Sequence, residues 1–201
     1  MLKRIRVVLW IACAIPLLAL GAVGILELTQ KTGSVGALQA SGIGGPFKLA
    51  ASTGGSFSTD ELKGKPFLVF FGFTRCPEIC PTTISDISTW LDALGSDGKE
   101  IKALFVSIDP ERDDVASLKD YLSSFNDRII GLTGTPDEIA AVAKEYRVYY
   151  AKHPLKDGDY TMDHSAVIYL MDRQGKLAGT LTYGDPTNDA VAKLKRLLAS
   201  A

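Results

Sequence analysis

The stretch FFGFTRCPEICPTT, residues 70–83, sets two cysteines, Cys76 and Cys80, with three residues between them and a proline after each. A thiolate is a nucleophile, half of a disulfide, or a soft metal ligand. The pair therefore admits a structural staple, a redox couple or a metal clasp. Proline disfavours helical backbone in the residue before it, so both cysteines are expected to be extended or turn-like. Pro81 suits the first position of a helix, which predicts Cys80 as its N-cap. The unpaired N–H groups and the dipole at such a helix start favour thiolate over thiol. Three intervening residues, against the two of common Cys-x-x-Cys redox loops, let the sulfurs splay further apart and share one ion.

A sulfur pair that holds a metal needs a further ligand, and the chain has two histidines. His164 stands in TMDHSAVIYL, just before an apolar strand pattern, and His153 in the loop-prone KHPLKDGD. Residue types alone leave both open, since a lone histidine is as readily a surface or structural group. Two thiolates with an imidazole suit copper(I) and copper(II), with zinc the other candidate.

The elements that would position these groups follow from periodicity. Residues 67–73 and 101–108 are apolar runs of strand length, as expected for strands covered on both faces. Between them, residues 81–94 carry Ile84, Ile87, Leu91 and Leu94 at helical spacing and stop at Gly95. This is a β-α-β unit with a parallel strand pair, and it puts the thiols at the carboxyl end of a buried strand, where open α/β sheets bind ligands. Helices are predicted over 114–124 and 136–146, the second with Thr135 as cap, Pro136 in its first turn, and Asp137 and Glu138 at its positive end. Strands over 148–153, 166–171 and 177–183 and a helix over 188–199 complete a central mixed sheet flanked by helices.

The chain has 201 residues, 46% hydrophobic and 22% charged, with a net charge of −1. Nothing in this balance calls for a nucleic-acid partner. Residues 7–26 are an uncharged apolar run, close to the roughly 20 residues that cross a hydrocarbon core. The run exceeds the apolar core of about 7–15 residues in a cleaved signal peptide. Lys3, Arg4 and Arg6 precede it, which predicts a cytoplasmic N-terminus and a domain on the other side of the membrane. Cys13, inside the run, reads as a small apolar filler. The expected organisation is an anchor over 1–28, a Gly/Ser/Ala-rich tether over 29–45 and a folded domain over 46–201. Disulfides persist outside the cytoplasm. A domain of this size nevertheless buries about 70% of its unfolded surface and needs no staple to hold together.

Four blocks in order, GGPFKL, LKGKPFLVFFGFTRCPEICPTT, SIDPERDD and DYTMDHSAVIYLMDRQGK, resemble the Sco/SenC family, membrane-tethered copper-binding proteins of cytochrome c oxidase assembly. The resemblance implies a thioredoxin-like fold, preceded here by one transmembrane helix, in which Cys76, Cys80 and His164 bind one copper ion. His164-Ser165 looks like the position that packs against the redox loop in thioredoxins, whereas His153 has no such match and stays a loop residue. In the family the aspartate matched by Asp109 recurs near the metal, so Asp109 is expected to support the site from outside the ligand set; as a lone residue it caps a turn. Met162 and Asp163 flank His164; Met162 could serve as a soft ligand but reads as core packing, and Arg75 and Glu78 read as charges near the site.

The resemblance implies a metallochaperone that serves the dicopper subunit of cytochrome c oxidase. Its other expected partners are a periplasmic copper donor or thiol reductant, and its expected place is the bacterial inner membrane with the domain in the periplasm. The same thiols suit a thiol-disulfide oxidoreductase that reduces the acceptor's cysteines, and the two roles are compatible because only the dithiol binds metal. A thiol peroxidase fits less well, since no proline precedes Thr74 at the spacing such sites use. A staple leaves His164 and the helix-start placement unexplained.

Overall fold

Alternating side-chain direction along a strand demands two apolar faces when a sheet is covered on both sides. In the computed structural model, which describes residues 42–156 and 158–200, β3 (Phe67–Gly72) meets this demand with all six residues buried. Strand β4 (Lys102–Ser107) runs parallel to it, with Phe70 opposite Phe105 and Gly72 opposite Ser107. β5 (Ile129–Thr133) continues the parallel set beside β4. β1 (Lys48–Ala51) adds antiparallel to β5, and β2 (Ser56–Ser58) to β1. On the other flank β8 (Val167–Met171) pairs antiparallel with β3, and β9 (Leu177–Thr182) with β8. The result is a seven-stranded mixed sheet in the order β2-β1-β5-β4-β3-β8-β9. β6 (Tyr150–Pro154) and β7 (Tyr160–His164) form a separate antiparallel ribbon.

Helix α1 (Ile79–Ala93) crosses from β3 to β4, α2 (Val115–Leu122) from β4 to β5, and α3 (Pro136–Glu145) follows β5; α4 (Thr187–Ala199) comes last. On one face of the sheet Phe70 meets Phe105, and Phe105 meets Tyr121 of α2. On the other, Phe71 and Tyr169 close on Tyr146 at the end of α3. Both faces are thus sealed by aromatic side chains, each contributing on the order of 1.5–3 kcal/mol when fully buried.

Two helix starts show how local chemistry sets the boundaries. The Thr135 side chain accepts from Glu138 N at 3.3 Å, the cap that the sequence predicts, while Glu138 Oε2 accepts from Thr135 N at 2.8 Å and makes that cap reciprocal. α1 departs from expectation. It begins at Ile79 with Glu78 as N-cap, so Cys80 lies inside the first turn instead of capping it. Pro81 is accommodated because first-turn N–H groups have no intrahelical acceptor to lose. The bias against helical backbone before proline yields to a specific contact, Cys80 N–H donating to Cys76 Sγ at 3.4 Å. Strand β6 also starts two residues later than expected and carries Pro154 at its end.

The 7–26 run, Cys13 and the first thirteen residues of the expected tether lie outside the described residues. Among the described residues no helix is long and apolar enough to cross a membrane.

Candidate metal centre

Strand β3 delivers the chain to the sheet's carboxyl edge, and the loop that follows is anchored before it reaches the first thiol. Asp113, which has no exposed surface, accepts from Thr74 N at 3.0 Å, from the Thr74 hydroxyl at 2.5 Å and from the Ser107 hydroxyl at 2.6 Å. This carboxylate, at the foot of α2, ties the end of β4 to the turn two residues ahead of Cys76. The turn then closes with Cys76 N–H donating to Phe73 O at 3.2 Å. The Cys76 sulfur meets the first turn of α1, and Cys80 turns inward to complete burial.

His164 arrives from far along the chain, at the end of β7 and opposite Tyr150 in the ribbon. Its ring stands edge-on to Phe73, with centroids 5.9 Å apart and planes at 86°. Nδ1 lies 3.2 Å from Ser165 O. A carbonyl only accepts, so Nδ1 donates there, and Nε2 is the ring nitrogen that faces the sulfurs. Nε2 lies 3.5 Å from Cys80 Sγ. One ligand atom from each of Cys76, Cys80 and His164 lies within 4.8 Å of the others, and the two thiols are not joined.

The sulfurs are electrostatically unequal. Hydrogen bonding from the Cys80 side chain, helped by His164 and the backbone of Cys80 and Glu78 and opposed by burial, lowers the Cys76 pKa to about 4. Cys80 moves strongly the other way, because its proton is held in the bond to Cys76 and because burial penalises a second charge. The resting pair shares one proton, with the negative charge on the more exposed sulfur. A soft cation that displaces this proton finds two thiolates and a neutral imidazole whose distal N–H is already fixed by a carbonyl, the outer-shell arrangement common to metal-bound histidine.

The other candidates sit elsewhere. His153 is exposed on β6 opposite Thr161 and is not in the cluster. Met162 packs against the core, as expected. Asp163 is exposed opposite Ala151, and Arg75 reaches Asp159 at 3.6 Å. Asp109 is 2% exposed and its oxygens are engaged by Arg112 Nε at 2.5 Å and the Tyr160 hydroxyl at 2.7 Å. Arg112 in turn donates to Tyr160 O at 2.8 Å and lies 3.6 Å from the centre of the Tyr160 ring. Asp109 thus grips the start of the strand that ends in His164. Sequence reasoning missed Asp113. The available signal was the second aspartate in SIDPERDD, but only the fold shows that it faces Thr74.

A mixed α/β protein with two thiols and an imidazole gathered at the carboxyl edge of its parallel strands defines a class of metal-binding thioredoxin-like domains. The family described as SCO1/SenC matches residues 35–199, and the chain belongs to it. The mitochondrial protein SCO1 of Saccharomyces cerevisiae is 44% identical over 142 residues, 69% of this chain and 48% of that protein. The chain spans about half the length of the curated relatives it matches. Bradyrhizobium japonicum ScoI with copper bound is 51% identical, with a TM-score of 0.72 over 77% of this chain and 99% of that one. Yeast Sco1 with copper bound is 40% identical, with a TM-score of 0.73 over 79% of this chain and 90% of that one.

Proposed function

We propose that this chain is a copper metallochaperone that binds one copper ion through Cys76, Cys80 and His164 and assists assembly of the dicopper centre of cytochrome c oxidase. The observation that carries the reading is the convergence of the three ligand atoms within 4.8 Å, with 84 residues of sequence separating Cys80 from His164. Two thiolates favour copper(I), and the imidazole extends the set to copper(II). Cys76 is partly exposed, so an acceptor thiol can displace it first while Cys80 and His164 still hold the ion. Asp109 supports the site by seating β7 through Arg112 and Tyr160, without touching the ion. Residues 1–28 tether the domain to the bacterial inner membrane, and 29–45 let it reach a partner in the periplasm; the apolar 7–26 run and the basic residues before it support this placement.

The experiment has two stages. The reduced protein binds one copper, and Cys76→Ser or Cys80→Ser abolishes tight binding. Copper-loaded protein then metallates an apo-oxidase dicopper fragment without added reductant. Failure of that transfer with intact copper binding refutes the chaperone role.

The unequal thiols favour one second reading, a reductase of the acceptor's disulfide. Cys76 thiolate attacks one acceptor sulfur and releases the other as thiolate. Cys80, giving up its proton, then attacks Cys76. The acceptor leaves as a dithiol, two electrons richer, and this chain keeps the Cys76–Cys80 disulfide. Reduction of an oxidised acceptor in the absence of copper separates this role from transfer.

A further inference from the structure

We propose that Gly72 is a positioning residue for the metal centre: the missing side chain at the end of β3 is the space that seats the Cys80 sulfur beside His164. This deepens the copper reading and rests on it for its metal-binding arm only.

Glycine in a strand interior is destabilising relative to alanine, so its presence here needs a reason. The reason is not backbone conformation, because Gly72 is extended and outside the left-handed region that other glycines of this domain occupy. It is space. A Cβ at this position would stand 2.7 Å from Phe105 Cε2, 3.2 Å from Phe105 Cζ and 2.9 Å from Cys80 Sγ. The separations of 2.7 and 2.9 Å are shorter than carbon and sulfur tolerate, so something has to move.

The two neighbours are not equally free to yield. The Phe105 ring is buried and wedged between Phe70, 6.0 Å away, and Tyr121, 5.9 Å away. Moving it repacks a sealed face of the sheet. The Cys80 sulfur hangs from a single rotatable bond, so a turn about χ1 removes the overlap. That turn takes the sulfur away from His164 Nε2, now 3.5 Å distant. Phe70, two residues earlier on the same face of β3, also touches the His164 ring, with centroids 6.3 Å apart. Gly72 and Phe70 therefore form one floor beneath both the buried thiol and the imidazole.

The test compares the reduced, metal-free protein with Gly72→Ala, using iodoacetamide labelling mapped to each cysteine by mass spectrometry well below the denaturation midpoint. In the parent protein Cys80 has no exposed surface and labels slowly beside Cys76. In Gly72→Ala the displaced sulfur labels at least about tenfold faster while Cys76 stays within about twofold, since access controls the reaction of a buried thiol. The copper(II)–thiolate absorption band of the loaded protein shifts, and copper dissociates about tenfold faster, the cost of a misplaced ligand. Gly179→Ala in β9, whose Cβ would meet only Leu170 Cδ1 at 3.8 Å, behaves as the parent in every assay. If Gly72→Ala does not fold, Gly72→Ala with Phe105→Leu removes the ring contact and keeps the sulfur contact, and the same readouts decide. Folded variant with parent-like Cys80 labelling and an unshifted copper band overturns the inference. Faster Cys80 labelling in a protein that binds no copper supports Gly72 as the seat of the sulfur while refuting the copper reading.

Discussion

Removing the Asp113 carboxylate is the sharpest test of how the thiol loop is held. Asp113→Ala strands three donors: Thr74 N–H, the Thr74 hydroxyl and the Ser107 hydroxyl. The hydroxyls can rotate in search of another acceptor, and Ser107 Oγ keeps the bond it already accepts from Asp109 N at 3.1 Å. The amide cannot move without the turn. An unsatisfied buried donor costs about 1–3 kcal/mol, so the full cost for the amide and part of it for two hydroxyls sums to about 3–5 kcal/mol. For a domain of this size each kcal/mol moves the melting point by about 2–4 °C, which predicts a fall of roughly 6–20 °C. Asp113→Asn keeps an oxygen for the Thr74 amide and loses only about 1–2 kcal/mol. Urea unfolding of the reduced protein, followed by circular dichroism, measures both. An Asp113→Ala variant within about 1 kcal/mol of the parent, or no less stable than Asp113→Asn, refutes the clamp.

Three further outcomes are expected. His164→Ala weakens copper(II) binding at least about tenfold with the fold intact, since it removes one ligand from a site whose thiolates remain, whereas His153→Ala leaves affinity unchanged; titration with a competing chelator reads both. Cys76 labels at a nearly constant rate from pH 6 to 8 and slows only as the pH falls toward about 4, where its thiolate is protonated. Because its folded pKa is depressed, the stability it contributes is complete above its ordinary value of 9.0 and is lost as the pH falls through about 4, so Cys76→Ser flattens that part of the stability profile. Thr135→Ala breaks the reciprocal cap of α3 and costs about 1 kcal/mol in urea unfolding, with copper binding unaffected.

What the sequence reveals depends on how local the deciding force is. β3 and β4 are legible because burial on both faces writes a continuous apolar run, and α3 because its cap and its acidic first turn lie within four residues. β1 and β2, four and three residues long, exist through their pairing with β5 and with each other and leave no periodic trace. β7 goes unassigned for the same reason: its ladder partner is β6, which ends in proline. The start of α1 is misread because the group that satisfies Cys80 N–H is a sulfur four residues back, which no capping rule anticipates. At the site, the cysteines announce themselves by spacing and His164 through the family resemblance. Asp113 and Gly72 act across space and emerge only from the fold.

The ribbon that carries His164 has a consequence for how loading registers in the protein. β6 and β7 share no ladder with the seven-stranded sheet, and side-chain ties such as Arg112 to Tyr160 O at 2.8 Å and Lys152 to Glu111 at 2.7 Å help moor them. If copper binds as proposed, an ion held by His164 from the ribbon and by both sulfurs from the main body would act as a rivet between the two. At a free concentration one hundred times the dissociation constant, that rivet adds about 2.7 kcal/mol to any opening that breaks the site. Amide hydrogen exchange in β6 and β7 therefore slows when the ion arrives and quickens when it departs, so the cargo state is written in backbone protection beyond the ligands themselves.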